Sequence, residues 1–169
     1  SDRMNELISD LLDLSAMESS DVFMETFDLH DVIANEISYL SKQNKKRISY
    51  KKKKVEINAN FDDISLAVKN LIKNALKYSP PEENILIQIE ENDKSVRCSF
   101  QDFGSGISKS DQEKIFERFY RVDKGRSRKV GGTGLGLAIV KHALDRNNAV
   151  IEIVSELDHG SNFTIVFEK

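Results

Sequence analysis

The sequence predicts an α+β fold: a two-layer α/β sandwich in which a mixed or antiparallel sheet carries helices on one face, preceded by a separate amphipathic helix. Two patterns predict the layers. Apolar residues recur every three or four positions in 60–78 and 133–146, as in helices that bury one face. Apolar and polar residues alternate in 85–91 and 95–101, as in strands with one buried face.

The composition is that of a soluble globular protein. The chain has 169 residues, of which 39% are hydrophobic and 31% charged, enough for one well-buried domain plus an appendage. A net charge of −3 does not suggest a nucleic-acid or anionic membrane partner. No stretch approaches the roughly 18 apolar residues needed to cross a bilayer. Cys98 is the single cysteine, so no disulfide framework is expected and a reducing compartment fits.

The first element is an amphipathic helix over 4–17. Its dense apolar stripe has no obvious burial site in its own domain, which favours a helical bundle with partners elsewhere. The alternative is a helix folded back on the main domain. The polar stretch 18–21 predicts the junction, so we expect a helical segment at 1–19 and a domain at 20–169. Because the sequence opens inside this helix, we expect a piece of a longer protein.

The next elements are a strand at 22–27 and a helix capped by Asp28 that ends near residue 41. Two β-like runs follow at 48–51 and 55–58. A basic cluster between residues 42 and 54 is interpreted as a solvated edge strand and turn, with an interaction patch as the alternative.

The helix at 60–78 is the longest of the domain. Four apolar residues share its buried face: Ile64, Val68, Leu71 and Ala75. Pro80 and Pro81 end it, because proline cannot continue a helix.

The remaining segments complete the sheet. The turn residues Asn92 and Asp93 join the strands at 85–91 and 95–101 into a hairpin. The later predicted elements are a short helix at 111–119 capped by Ser108 or Ser110, a mobile basic loop at 120–132, a helix at 133–146, and an antiparallel strand pair at 150–155 and 162–168.

Three residues of the 60–78 helix predict a ligand site at the rim of the core. Asn70, Asn74 and Lys77 are spaced four and three apart, so they share a stripe beside the apolar one. Amide oxygens suit a magnesium ion whose other ligands are waters and phosphate oxygens, and a lysine adds a cation for phosphate. The alternative is that the three side chains are merely solvated.

A second motif is the DFGSGI turn. Asp102 ends a strand, Gly104 and Gly106 permit a tight turn, and Ile107 returns to the core. A carboxylate in this position can accept a hydrogen bond from the exocyclic amine of adenine. An acid that merely begins a turn is the alternative.

The third motif is the GGTGLGL run. Gly132, Gly134 and Gly136 precede a helix and would expose backbone amides at its N-terminus, where phosphate oxygens are favoured. The run is neither a P-loop nor a dinucleotide fingerprint, and a plain helix start is the alternative. Six nearby cations could neutralise phosphates, or be solvated: Arg118, Arg121, Lys124, Arg126, Arg128 and Lys129.

In this order the motifs resemble the catalytic, ATP-binding domain of sensor histidine kinases. The matching segments are NLIKNALKYSP for the N box, DFGSGI for the G1 box, IFERFYRVD for the F box, GGTGLGL for the G2 box and GSNF for the last glycine turn. RMNELISDLLDLSAMES is similar to the second helix of the dimerisation and phosphotransfer hairpin. The resemblance implies a Bergerat-type sandwich that binds ATP under a flexible lid at about 120–132.

The resemblance also implies roles for single residues. Asn74 would hold Mg²⁺ with help from Asn70, Lys77 would contact phosphate, Tyr78 would border adenine, and Asp102 would bind the adenine amine. Gly104, Gly106 and Ile107 would shape the adenine wall, and Gly132, Thr133, Gly134, Leu135, Gly136 and Leu137 would frame the triphosphate. Arg118 or Arg121 would reach the γ-phosphate. Phe116 and Phe119 would dock the domain on its hairpin, or simply pack in the core.

The implied partners are a histidine-bearing hairpin of the same protein, a second copy in a full-length homodimer, and the receiver domain of a response regulator. The implied location is cytoplasmic, as part of a membrane-bound sensor. Two features depart from the family. The phosphoacceptor motif is absent, so this chain alone should not autophosphorylate, and Asp63, Ser65 and Leu66 stand where arginine, a polar residue and glutamine are frequent.

Related ATPases of topoisomerases, heat-shock chaperones and mismatch repair carry a glutamate that orients the attacking water, four residues before the magnesium asparagine. Asn70 occupies that position here. Transfer to an external histidine is therefore favoured over hydrolysis. Two other functions stay open: a nucleotide-binding docking module without transfer, and an ATP-hydrolysing conformational ATPase.

Overall fold

The computed structural model describes residues 1–122 and 131–169. The helices are α1 (Asp2–Ser19), α2 (Leu29–Ser38), α3 (Lys42–Arg47), α4 (Phe61–Tyr78), α5 (Lys109–Gln112) and α6 (Gly136–Arg146). The strands are β1 (Glu25–Asp28), β2 (Ile48–Tyr50), β3 (Glu56–Ala59), β4 (Ile85–Glu91), β5 (Ser95–Gln101), β6 (Ala149–Glu156) and β7 (Gly160–Glu168).

The main sheet has five strands in the order β2-β4-β5-β7-β6. The β2–β4 pair is parallel and the other pairs are antiparallel, so the sheet is mixed. β1 and β3 form a separate two-stranded antiparallel sheet. The predicted α+β fold is confirmed, and the hairpin of β4 and β5 has the predicted bounds.

The core lies between the main sheet and the helices. α4 packs against α6 and α2, and α6 packs against β6. Every second residue of β4 is buried, beginning with Ile85 and Ile87. The four residues predicted for the buried face of α4 are all buried. Burying one such aliphatic side chain is worth about 1.5–3 kcal/mol, so this face fixes α4 on the sheet.

Side-chain caps set the starts of two helices, at Asp28 as predicted and at Asn60, which was expected to be the first helical residue. The Asp28 carboxylate accepts a hydrogen bond from the His30 amide at 2.9 Å. The Asn60 side chain accepts one from the Asp63 amide at 3.0 Å and so begins α4. Such caps satisfy amides that have no partner within the helix.

Two predictions in the first third of the chain were wrong in detail. Residues 42–47, interpreted as part of an edge strand and turn, form α3, because the Ser41 hydroxyl accepts from the Asn44 amide and the residues that follow are good helix formers. The strand expected at 22–27 is shorter and begins at Glu25. β2 does lie at the edge of the main sheet, as expected.

Two helices are shorter than predicted. The helix expected at 111–119 is α5, which ends at Gln112; its continuation is a series of turns, and Phe119 has a left-handed φ of 66° that no α-helix contains. The helix expected at 133–146 begins at Gly136, because Gly134 has a φ of 76°. The glycines therefore shape the approach to the helix.

The stripe of α1 is divided between two environments. Leu14 and Met17, near its C-terminus, are buried against the domain. Met4, Ile8 and Leu12 are exposed. Leu7 is partly buried against the core. The prediction that the stripe finds no burial site in its own domain is therefore wrong for Leu7, Leu14 and Met17, although Met4, Ile8 and Leu12 remain exposed. None of the helices that the structure describes is long and apolar enough to cross a membrane.

A buried polar network joins the start of α4 to the end of α6. The Arg146 guanidinium donates to Asp63 at 3.1 Å, and the two side chains are 12% and 8% exposed. The Asn147 amide donates to the same carboxylate at 3.0 Å, while its carbonyl oxygen accepts from the Asn60 backbone at 2.6 Å. Asp63, one of the departures from the family, thus serves contacts inside the domain.

Replacing Asp63 by alanine should lower the free energy of unfolding by about 2–3 kcal/mol, because the guanidinium and the amide lose their buried acceptor. Urea denaturation would measure the change. Asp62→Ala, at an exposed neighbour in the same first turn, is the control and should change little. Equal losses for the two variants would contradict a structural role for this network.

Candidate functional site

Asn70 and Asn74 lie on the face of α4 predicted from their spacing. Asn70 is buried, and its amide nitrogen donates to the Leu66 carbonyl at 2.9 Å. That bond orients the side chain, so its oxygen faces Gly136 at the start of α6, 3.2 Å from the position a Cβ would take there. Asn74, one turn later, is partly exposed and lines a cleft.

Lys77 lies half-buried at the same cleft. A Cβ at Gly132 would be 2.1 Å from the Lys77 ammonium, so the bare glycine backbone admits the cation. Burial lowers the pKa of Lys77; Glu6 opposes this, and the neighbouring cations Lys73 and Arg121 add to it. Lys77 is thus a half-buried cation with acidic neighbours, Glu6 and Asp10, as well as cationic ones, and an anionic ligand would compete with those acids for it.

The glycine run reaches the cleft as an irregular segment ahead of α6. The φ of Gly132 is 105° and that of Gly134 is 76°. A Cβ at Gly134 would be 2.9 Å from the Phe119 Cα, and the Phe119 amide donates to the Gly134 carbonyl at 2.8 Å. Thr133 accepts from the Leu135 amide at 3.1 Å, and the Leu135 side chain is fully buried in the core. The run is therefore held at both ends.

The cleft between these segments encloses about 90 Å³. Of the predicted site residues, those that line it are Asn70, Asn74, Lys77, Tyr78, Arg121, Gly132, Thr133, Gly134, Gly136 and Leu137. The sequence reasoning missed Glu6, Asp10, Lys73, Ile115 and Tyr120, which also line it. Clefts for drug-sized ligands usually hold about 300–1,000 Å³, so a nucleotide needs the cleft to open further.

The structure separates the two predicted arginines. Arg121 lines the cleft, and its guanidinium donates to the Gly131 carbonyl at 2.9 Å. Arg118 lies outside the cleft and forms an ion pair with Glu18 of α1. The other four cations of this region, and most of the predicted lid at 120–132, lie outside the described residues.

The DFGSGI turn lies next to the cleft, beyond the end of α4. Asp102 is buried, and its Oδ1 accepts from the amides of Gly104 at 2.9 Å and Ser161 at 3.2 Å. A Cβ at Gly104 would be 2.2 Å from the Tyr78 carbonyl oxygen. Burial raises the pKa of Asp102, and the two amides oppose that rise. The Asp102 carboxylate is thus fixed in position close to Tyr78, which lines the cleft.

The rest of the turn is anchored to the last two strands. A Cβ at Gly106, whose φ is 71°, would be 2.0 Å from the Glu156 carbonyl oxygen. The Ile107 amide donates to the Ser155 hydroxyl at 2.8 Å. Gly106 and Ile107 therefore fix the turn that follows Asp102 against residues 155 and 156, and they do not line the cleft.

The two F-box phenylalanines differ in environment. Phe116 packs edge-on against Phe163 in the core, at 6.4 Å between ring centroids. Phe119 is 58% exposed. Core packing therefore accounts for Phe116, and a docking role is open for Phe119 alone.

A family model described as the histidine kinase-, DNA gyrase B-, and HSP90-like ATPase matches residues 59–169. The chain belongs to this ATPase family. The match begins just before α4 and therefore includes α4, the Asp102 turn and the glycine run, but not Glu6 and Asp10 of α1, which also line the cleft.

Relatives of this ATPase domain are sensor kinases. The phosphate regulon sensor protein PhoR of Pseudomonas aeruginosa is 38% identical over 98% of this chain and 39% of its own length. The sensor-like histidine kinase SenX3 of Mycolicibacterium smegmatis is 33% identical over 98% of this chain and 44% of its own length. The chain therefore spans less than half of either relative. The resemblance to the catalytic domain of sensor histidine kinases is confirmed.

Solved structures show the same fold. The catalytic domain of histidine kinase ThkA superposes with a TM-score of 0.73 at 24% identity, covering 87% of this chain and 98% of that one. Full-length ShkA in complex with AMPPNP superposes with a TM-score of 0.77 at 22% identity, covering 95% of this chain and 34% of that one.

Proposed function

We propose that this chain binds Mg-ATP in the cleft and transfers the γ-phosphoryl group to a histidine on a separate helical hairpin. The observation that carries the proposal is the convergence on one cleft of two asparagines, a half-buried lysine and a glycine run at a helix start, with a buried aspartate beside it. Membership of an ATPase family supports the nucleotide, and the sensor kinases among the relatives support the acceptor.

Adenine recognition is assigned to Asp102. Both amide hydrogen bonds of this carboxylate go to Oδ1, and within residues 1–122 and 131–169 no hydrogen bond is described for Oδ2. That oxygen is left to accept from the exocyclic amine of adenine. Tyr78 borders the base. Because Gly104 has no side chain, the Tyr78 backbone and the Asp102 carboxylate can both lie close to it.

The magnesium ion is assigned to Asn74, with Asn70 assisting. The donor set fits: the Asn70 oxygen faces the cleft because its nitrogen is already bonded to the Leu66 carbonyl. Neutral amide oxygens are hard ligands that leave the remaining positions of the ion to water and phosphate. A bound Mg²⁺ would neutralise phosphate charge.

The triphosphate is assigned to Lys77, Arg121 and the amides of the glycine run. Two cations at the cleft attract the phosphates, and amides at the start of α6 add the favourable end of the helix dipole. Phosphoryl transfer is accelerated mainly by such positioning and charge neutralisation. In the reaction the bond from the γ-phosphorus to the bridging oxygen breaks, a bond to the histidine nitrogen forms, and ADP leaves.

Transfer is favoured over hydrolysis because Asn70 has no carboxylate with which to orient water. The carboxylates that line the cleft, Glu6 and Asp10, come from α1 and are already paired with Lys73 and Thr133. For the whole protein we propose a homodimer. Its hairpin would pass the phosphoryl group to the receiver domain of a response regulator, and this chain would lie in the cytoplasmic part of a sensor. Residues 1–19 would then be the end of the hairpin and 20–169 the catalytic domain.

Transfer is tested by mixing the purified chain with radiolabelled Mg-ATP and a separate hairpin that carries an acceptor histidine. We expect acid-labile phosphate on the hairpin and none on this chain alone. The same hairpin with glutamine in place of the histidine is the control. If ATP bound tightly but the hairpin stayed unlabelled, the chain would be a nucleotide-binding docking module. Release of inorganic phosphate without labelling of the hairpin would indicate an ATPase.

Replacing Asp102 by asparagine should reduce the preference for adenine over guanine nucleotides by about 10–100-fold. The amide oxygen can still accept from Gly104 and Ser161, but an NH₂ group replaces Oδ2 and faces the adenine amine with a second donor. The affinity of the wild type for ATP should also decrease as the pH is lowered, because Asp102 becomes protonated. Since burial raises the pKa of Asp102, this decrease should begin at a pH above the ordinary carboxyl pKa.

Calorimetry with non-hydrolysable ATP and GTP analogues in the presence of Mg²⁺ measures this preference. Asp145→Asn, at an exposed carboxylate of α6, is the matched control and should leave the preference unchanged. If Asp102→Asn retained the preference for adenine, another residue would read the base.

A further inference from the structure

The first half of α1 lies against α4 through charges. Lys69, Lys73 and Lys77 are spaced four apart on α4, and α1 presents carboxylates to them. Glu6 forms an ion pair with Lys73 and acts electrostatically on Lys77. Asp13, two turns later on α1, lies close enough to Lys69 for their charges to interact. The two helices therefore run in opposite directions, with an acidic face against a row of lysines.

The most buried contact of this face is made with the glycine run. Asp10 is 7% exposed, and its Oδ2 accepts a hydrogen bond from the Thr133 hydroxyl at 2.6 Å. Thr133 also caps the Leu135 amide just before α6. Asp10 therefore places a carboxylate beside the amides to which phosphate oxygens are assigned.

The second half of α1 is attached differently. Leu14 and Met17 are buried in the core cluster, and the Arg146 guanidinium donates to the Ser20 carbonyl at 3.3 Å. In the first half, by contrast, Met4 is 55% and Ile8 49% exposed. The second half therefore has an apolar anchor. The first half is held by the partly buried Leu7, by the partly exposed Glu6–Lys73 ion pair and by the single hydrogen bond from Thr133 to Asp10. These contacts are fewer, so the first half can leave while the second stays docked.

We infer that the acidic face of α1 occupies the phosphate end of the cleft, so that docking of its first half and binding of a triphosphate exclude each other. Glu6 pairs with Lys73, one turn before Lys77, and Asp10 accepts from the Thr133 hydroxyl within the glycine run. Both carboxylates line the same cleft of about 90 Å³ as Lys77 and the glycine run, to which the phosphates are assigned. Two carboxylates and a triphosphate in that volume would repel each other strongly, since all carry negative charge.

This regulation presupposes the proposed nucleotide site. It predicts that α1, when docked, lowers the affinity for ATP and that ATP releases the first half of the helix. Because the coupling is reciprocal, either effect can be measured.

The first measurement is calorimetry of the whole chain with the non-hydrolysable analogue AMP-PNP and Mg²⁺. The double variant Glu6→Gln/Asp10→Asn should bind about tenfold more tightly than the wild type, the factor that corresponds to about 1.4 kcal/mol. Asp13→Asn is the control, because it removes one negative charge from the acidic face of the same helix but does not line the cleft. AMP, which lacks the β- and γ-phosphates, should bind all variants equally. Unchanged or weaker AMP-PNP binding by the double variant would overturn the inference.

The second measurement follows α1 itself. Cys98 is buried, so spin labels can be placed selectively at Asn5→Cys on α1 and Glu82→Cys after α4, both exposed. Inorganic tripolyphosphate and AMP-PNP should each lengthen the distance between the labels, and AMP should not. A lengthening with tripolyphosphate alone would support competition by α1 while refuting the adenine site. No change with tripolyphosphate or AMP-PNP would refute the competition.

Discussion

Replacement of Asn74 by alanine should abolish Mg-dependent nucleotide binding and lower the rate of phosphoryl transfer by more than about 100-fold, since loss of even an outer-shell partner costs about 10–100-fold at metal sites. The variant removes the partly exposed amide oxygen assigned to the ion. It leaves the buried face of α4 intact, so the fold should be unaffected. Calorimetry of the ATP analogue with and without Mg²⁺ measures the loss directly.

Asn35→Ala is the matched control, because it removes an exposed asparagine side chain from a different helix. Its nucleotide affinity should equal that of the wild type. Mg-dependent affinity that survived in Asn74→Ala would contradict the assignment of this residue to the metal.

Replacement of Gly104 by alanine should weaken nucleotide binding by about 100-fold, the cost of displacing a site by about 1 Å. A Cβ at this position would lie 2.2 Å from the Tyr78 carbonyl oxygen and 3.2 Å from Asp102 Oδ1. The first atom is backbone, and the second is held by hydrogen bonds from two amides. Either the DFGSGI turn or the end of α4 must shift. The free energy of unfolding should fall by about 1–3 kcal/mol, as in other overpacked sites.

Gly131→Ala separates this effect from a general loss of glycine. The added Cβ meets nothing within 4 Å, although the φ of Gly131 is 82°. That variant should therefore lower the free energy of unfolding only by the cost of backbone strain, about 1 kcal/mol. Because Gly131 itself lines the cleft, it is a control for stability and not for nucleotide affinity. If Gly104→Ala bound the nucleotide as well as the wild type does, the adenine wall would lie elsewhere.

Local patterns predicted the elements whose structure depends on neighbours in sequence. The β4–β5 hairpin, the Asp28 cap and the buried face of α4 follow from alternation, a capping side chain and helical spacing. The same patterns were wrong where a single backbone angle decides. The φ of 66° at Phe119 and that of 76° at Gly134 depend on a hydrogen bond between these two residues, which no periodicity encodes.

The candidate site divides in the same way. The spacing of Asn70, Asn74 and Lys77 placed them together on one helix, and the turn chemistry placed Asp102 at a strand end. The sequence had no signal for the opposite orientations of Arg118 and Arg121, because the Glu18 that binds Arg118 comes from α1, far away along the chain.

The sequence by itself determined the fold class, the nucleotide motifs and the presence of an amphipathic helix at 1–19. Only the tertiary structure decided where that helix lies, which of its apolar residues are buried and that Asp10 bonds to Thr133. The physical reason is the distance along the chain over which each interaction acts. Spacing and capping act within a few residues, whereas burial and charge pairing between distant segments depend on which surfaces meet once the chain has folded.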